Sequence, residues 1–543
     1  MVLTRLPKEL LDAISRCLTG KDIKSLRLAS KLFSDIPLPL SRVFISANPI
    51  DIEVFRSIAD HETYRHGVKE IIWDEARFGN PRSGCEGYEL ESREAPCEYR
   101  HACKENMHEI LNRRAMYAIH FPFEKAIDEQ VKAQMPVFES WLLYCEYADQ
   151  QNEVLENGSD IKAFEYGLER FPALERITLT PAAHGILFNP LYKTPMLRSL
   201  PYGFNYNIPR GWPGTYSYAR CEPWETEAEK EQWRGFREVI RCLADNKALS
   251  VKELVLDVHQ LPTGLTCHFF DHACPEYDQL VAVLRRPGFR RFDLALTAGG
   301  QPSSDWESFR NGRMRRALAE ASEDLEHFHL RTDQGDLPGV NRELDNNGIS
   351  YHFTPLLDIL PIERWPKLRH FGLSKFLVRQ DDVMSLLKAL PVTIRTVELS
   401  FLCFLNDGDS YKALLDEMRD SLDWHTRDAA LRPKVKIGLD VSRFAVVHGR
   451  AIWLEREVDS FLYEGGPCLF PREDRPDDAK PGDGGTIRDE FQPEIDSPWA
   501  DCPIWDYNDE QGRLRARAEK GGNPDVQAAL DALDALDALD YED

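Results

Sequence analysis

Residues 251–256 read VKELVL: apolar Val251, the polar pair Lys252-Glu253, then Leu254 and Leu256 around a middle position that is Val here and polar or glycine in most other copies. Alternation after the two polar positions marks a short strand with one buried face. The pattern returns as VKEIIW at 68–73, LERITL at 174–179, FRRFDL at 289–294, LEHFHL at 325–330, LRHFGL at 368–373 and IRTVEL at 394–399, with a looser VKIGL at 435–439. Most copies follow a helix-like segment, such as DIKAFEYGLERF, FREVIRCLAD, EYDQLVAVLRR, MRRALAEAS or DDVMSLLKAL. Helix then strand, repeated with short links, requires parallel strands side by side with helices on the other face. The expected fold class is α/β, an irregular αβ solenoid with intervals of 26 to 106 residues between copies. A doubly wound sheet is the alternative, weakened by the lack of a Gly-rich phosphate loop.

Two insertions interrupt the repeats, at 75–155 and 181–231. The first holds a polar, cysteine-containing loop and a helix-like run ending ESWLLYCEYADQ. The second is rich in Pro, Gly and rings, including Phe204, Tyr206, Trp212, Tyr216, Tyr218 and Trp224. Long loops on a rigid scaffold often carry binding, with Tyr and Trp as anchors, which nominates Trp212, Tyr216 and Trp224 for a substrate protein. The competing expectation is that these rings fold back over the solenoid edge, because loops this long need internal packing.

The first forty-five residues form a separate helical segment. Pro7 suits a helix N1 position, and Leu6, Leu10, Leu11, Ile14, Cys17 and Leu18 then line one side of a helix. Gly20 is an expected stop, and Asp22 an expected N-cap for a second helix carrying Ile23, Leu26 and Leu28. Ser30 caps a further turn holding Phe33 before Pro37 and Pro39 end the pattern. A piece this short cannot close its own core, so its apolar face must meet the rest of the chain or another protein.

This segment resembles an F-box, through Leu6-Pro7, Leu10-Leu11, Ile14, Leu18, Asp22-Ile23, Leu26-Arg27-Leu28, Ser30-Lys31, Phe33 and the Pro39 region running into Arg42-Val43. The whole chain resembles F-box proteins of the filamentous-fungal type through VKEIIWDEARF near residue 70 and DSFLYEGGPCLFP near residue 465. The repeat unit is similar to a leucine-rich repeat lacking that family's asparagine. The resemblance implies a three-helix F-box at 1–45, a leucine-rich-repeat-like solenoid at 46–470 and a tail at 471–543. It implies docking onto a Skp-family adaptor, and through it a cullin–RING ubiquitin ligase, by Leu6, Pro7, Leu10, Leu11, Ile14, Leu18, Ile23 and Leu26. The solenoid would hold an unknown protein substrate, and the chain itself would perform no bond chemistry. The alternatives are an F-box-like scaffold that binds the adaptor without ubiquitination, an N-terminal helical cap, or a metal-dependent enzyme hidden in the irregular middle.

Bulk properties favour an intracellular binding protein. The chain has no run of eighteen apolar residues and no signal-peptide pattern, so the expected location is cytoplasmic or nuclear and not secreted. Twelve scattered cysteines suit reduced thiols. A net charge of −24 argues against nucleic-acid or anionic-membrane partners. From Arg472 onward the chain carries 21 acids and 8 bases with few aliphatics, the composition of an acidic disordered tail ending in an Ala-Leu-Asp repeat.

Catalytic and metal patterns are weak. Cys85, Cys97, His101 and Cys103 have no familiar zinc spacing, and in CHFFDHAC the group Cys267, His268, His272 and Cys274 is followed by Pro275, which begins the next helix. Asp257, Asp381-Asp382 and Asp407-Gly408-Asp409 sit where caps, turns and strand ends need acids. No cofactor or metal is therefore expected, and no residue is named as nucleophile or base.

Overall fold

The computed structural model describes residues 10, 14, 18, 20–33, 40–81, 94–115, 124–214, 220–334, 352–406, 408–440, 448–467, 470, 485–491 and 497–498. The strands are β1 (Arg42–Ile45), β2 (Glu70–Asp74), β3 (Arg176–Thr180), β4 (Glu253–Leu256), β5 (Leu265–Thr266), β6 (Arg291–Thr297), β7 (His327–Arg331) and β8 (His370–Ser374). They continue as β9 (Leu377–Val378), β10 (Thr396–Ser400), β11 (Cys403–Phe404), β12 (Lys434–Asp440), β13 (Arg450–Leu454), β14 (Thr486–Asp489) and β15 (Ser497–Pro498).

All eight copies of the repeated pattern lie on strands of one sheet, β2, β3, β4, β6, β7, β8, β10 and β12. Its order is β1-β2-β3-β4-β6-β7-β8-β10-β12-β13-β14-β15, with β5 beside β6, while β9 and β11 form a separate pair. From β1 to β12 every neighbour is parallel; β13, β14 and β15 then close that side antiparallel. Each parallel strand lies next to its predecessor, so the order does not reverse as a doubly wound sheet does at its switch point. Right-handed crossovers that all advance in one direction leave their helices on one face. The helices Arg234–Asp245, Pro275–Leu284, Arg313–Ala319, Leu356–Ile359, Gln380–Ala389, Tyr411–Ser421 and Arg456–Tyr463 accordingly pack each on the next. The fold is mixed α/β, built on a large, mostly parallel sheet.

Register explains the core. Ile71, Ile177, Leu254, Phe292, Phe328, Phe371, Val397 and Val435 stand opposite one another in a single row, none more than 1% exposed. Alternation sends the polar positions of the same strands to the opposite face.

Three sequence expectations change. The short N-terminal helix runs Gly20–Ala29, so Gly20 opens it and Asp22 lies in its first turn instead of capping it; the turn after Ser30 is Lys31–Phe33 as expected. Arg42–Ile45, within the segment read as F-box, is the edge strand of the sheet. Thr486–Asp489 and Ser497–Pro498, read by composition as acidic tail, pair as strands because Ile487 and Phe491 supply buried apolar positions among the charges. The Ala-Leu-Asp repeat lies outside the described residues.

The two insertions fold upon each other. Helices Cys97–Ala115, Glu124–Lys132 and Val137–Asn157 share a second core with Leu187, Met196, Leu197, Phe204, Tyr206 and Ile208. Asn205 knits it together: its Nδ2 donates to Cys103 O (3.1 Å) and Gln134 Oε1 (3.0 Å), and its carbonyl accepts from Tyr99 Oη (3.0 Å). The insertion is clamped to the antiparallel edge by Arg113, which donates to Asp489 (2.8 Å) and to His448 O (2.6 Å), while Arg450 donates to the same carboxylate (2.9 Å). Arg113 and Asp489 side chains are 2% and 0% exposed, so this ion cluster is shielded from water.

Candidate functional site

The polar face of the sheet brings together, among the described residues, the one group of three His, Cys, Asp or Glu side chains placed to hold a metal ion. One row across it runs Arg42, Glu70, Arg176, Glu253, Arg291, His327, His370, Thr396 and Lys434. Opposite charges stand on adjacent strands at its start: Arg42 Nε donates to Glu70 (2.8 Å), and Arg176 Nε and Arg290 Nε donate to the two oxygens of Glu253 (2.5 and 2.8 Å). Such cross-strand pairs fix register as well as adding stability.

The next row runs Val255, Asp293, His329, Gly372, Glu398 and Lys436. Gly372 is decisive there. A Cβ at that position would stand 2.6 Å from His329 Cγ and 2.7 Å from Nδ1, so the imidazole fills the space a side chain would need. His329 thereby approaches Glu398 across an intervening strand. His370 joins from the row beside it, and ligand-type atoms of His329, His370 and Glu398 lie within 4.8 Å of one another. Hydroxyls hold one nitrogen of each ring: Ser374 Oγ is 2.9 Å from His329 Nε2, and Thr396 Oγ1 is 2.7 Å from His370 Nδ1. The rings of His327 and His370 stack at 3.9 Å.

Burial sets the protonation states. It pushes His370 down to about 2, with His327 and His329 adding repulsion, and it lowers His327 against the pull of Asp293. Burial opposes ionisation of Asp293, yet His327 (3.0 Å) and Arg291 (2.5 Å) hold its carboxyl well below the usual range. His370 and His327 are therefore neutral imidazoles near neutral pH, beside the ionised carboxylate of Asp293.

A cavity of about 150 Å³ opens beside it, lined among others by Asp257, His259, Arg331, Trp453 and Glu490 as well as Asp293, His329 and Glu398. Arg331 Nε and Nη2 are shut off from solvent without a hydrogen-bond partner. His259 Nδ1 lies 3.2 Å from Glu490, and its Nε2 lies 3.0 Å from Tyr192 Oη. Near the ends of these strands His259, Gln260, Lys375 and Phe401 hold left-handed φ angles of 50°, 62°, 51° and 56°. Non-glycine residues rarely adopt that region, and such strain gathers at functional sites.

The residues nominated from sequence lie elsewhere. Leu10 and Ile14 are exposed, Leu18 and Leu26 half-buried, and Ile23 is only 2% exposed, which withdraws it from direct contact with a partner in this conformation; Leu6, Pro7 and Leu11 lie outside the described residues. Trp212 and Trp224 are 3% and 6% exposed inside the main core, with Trp224 against Trp233 and Phe269, so neither ring is a surface anchor; Tyr216 lies outside the described residues. The inward-folded alternative describes both rings.

Cysteine sets behave similarly. Cys97 is exposed while Cys103 is buried with its Sγ 3.6 Å from Asn205 O, His101 faces Glu105, and Cys85 lies outside the described residues. Cys267 Sγ meets Cys221 (3.8 Å), His268 meets Asp271 (2.7 Å), and Cys274 precedes the helix that Pro275 opens. Neither set converges as metal ligands among the described residues. Sequence reading missed the histidines because each occupies a polar slot of a strand repeat, and only the register between repeats brings them together.

Among the described residues no helix is long and apolar enough to cross a membrane. No known family model, no characterised protein and no solved structure matches the chain.

Proposed function

We propose that this chain is the substrate-receptor subunit of a cullin–RING ubiquitin ligase, docking a Skp-family adaptor through its N-terminal segment and a substrate protein through an αβ solenoid. The observation that carries the reading is the exposure of Leu10 (51%), Ile14 (37%) and Leu28 (89%) in that segment. These residues belong to the series that resembles an F-box, and exposed apolar side chains of this size suit a helix-in-groove contact. Burying five or six such side chains contributes about 8–15 kcal/mol gross. Association costs of about 4–15 kcal/mol offset much of that. Strands laid down in sequence order support the solenoid, and their charged open face is a surface suited to a protein substrate. Tethering raises the substrate's effective concentration beside a ubiquitin-charged enzyme, and the chain performs no bond chemistry of its own.

Coexpression with a Skp-family adaptor and a cullin tests the reading and separates it from a non-degradative scaffold. Wild type should copurify both, and Leu10→Glu/Ile14→Glu should lose both while keeping its melting temperature. Adaptor without cullin would point to the scaffold; neither protein would refute the docking role.

A further inference from the structure

We infer that His329, His370 and Glu398 form a zinc site on the polar face of the sheet, a role independent of adaptor docking. Two imidazoles and one carboxylate are a donor set that zinc accepts, with a fourth position open. The three residues come from β7, β8 and β10, neighbouring strands of one rigid sheet, so backbone pairing fixes their spacing. Their ligand-type atoms already lie within 4.8 Å of one another. A tetrahedral shell with bonds of about 2.1 Å needs separations of roughly 3.4 Å, so side-chain rotation must close little more than an ångström.

Three further features fit this assignment. Gly372, on the strand between His329 and Glu398 and lacking a side chain, makes room for the His329 imidazole, and any larger residue there would drive the imidazole away. Ser374 and Thr396 hold one nitrogen of each ring, the kind of outer contact that orients histidine ligands. The adjoining cavity is lined by Asp257, Asp293, Glu398 and Glu490 with Arg331; Asp293 is committed to Arg291 and His327, and Glu490 to His259, so Glu398 is the carboxylate offered to an ion beside His329 and His370. Arg331 also has unpartnered Nε and Nη2, so an anionic group completing the zinc shell would pair with it.

The test uses the full-length chain stripped with EDTA and titrated calorimetrically with zinc chloride, with metal content after dialysis read by plasma mass spectrometry. One zinc per chain is expected. Glu398→Gln, nearly isosteric, should weaken binding by about tenfold or more while the metal-free circular dichroism stays that of wild type. Cys97→Ser/Cys103→Ser should bind as wild type does. No zinc on wild type, undiminished binding by Glu398→Gln, or loss in the cysteine variant would each overturn the site. If the ligand variants fail to fold, cobalt(II) on wild type decides: d–d bands without thiolate charge transfer support the site, and thiolate bands or no spectrum refute it.

Discussion

Gly372 shows how much one missing side chain can determine. Ala there would push a Cβ to 2.6 Å from His329 Cγ, and because both residues sit on paired strands neither backbone can retreat easily. Gly372→Ala should cost about 1–3 kcal/mol by urea denaturation, the range for overpacking; an unchanged midpoint would mean the imidazole has somewhere else to go. His184 offers a second test at this scale. It is 2% exposed, hydrogen-bonded to Tyr206 (2.8 Å), and pushed down to about 3 by burial and then by Arg210. Below about pH 6.5 the unfolded chain binds a proton there that the folded chain refuses, so stability from this residue is full above that pH and is lost as pH falls. The stability gap between wild type and His184→Asn should therefore narrow by about 2 kcal/mol from pH 7 to pH 5. A gap that widened on acidification would contradict a neutral buried imidazole.

Strands carry the lesson about legibility. Seven six-residue patterns and one looser five-residue copy are readable because burial of one face imposes alternation on each strand separately. What lies across the sheet was not readable: Glu253 gives no sign that it accepts from both Arg176 and Arg290, nor His370 that it stands beside His329 and Glu398. Those contacts depend on register between repeats of unequal spacing, and no local periodicity records it. Glu253→Ala should cost about 1–3 kcal/mol by leaving two guanidiniums short of an acceptor. β14 was hidden for a different reason, since its acidic surroundings outweighed Ile487 and Phe491 in any compositional reading. Asp489 on that strand neutralises Arg113 from the insertion and Arg450 from β13, all out of contact with water. Asp489→Ala should destabilise by about 3–5 kcal/mol, the cost of breaking a buried ion cluster. A loss below about 1 kcal/mol would show that β14 docks without it.

At the scale of the molecule, apolar and polar surfaces are separated. Helices cover one face of the sheet, charges and histidines line the other, and Leu10, Ile14 and Leu28 project from the N-terminal segment without cover. The receptor role proposed above would use two such surfaces, one to grip the ligase and another for the substrate. The most direct measurement is calorimetric titration of the purified chain with a purified Skp-family adaptor, for wild type and Leu10→Glu/Ile14→Glu. A one-to-one complex with sub-micromolar affinity, abolished in the double variant, is the expected result. No binding by wild type, or equal binding by both proteins, would contradict adaptor docking through this segment.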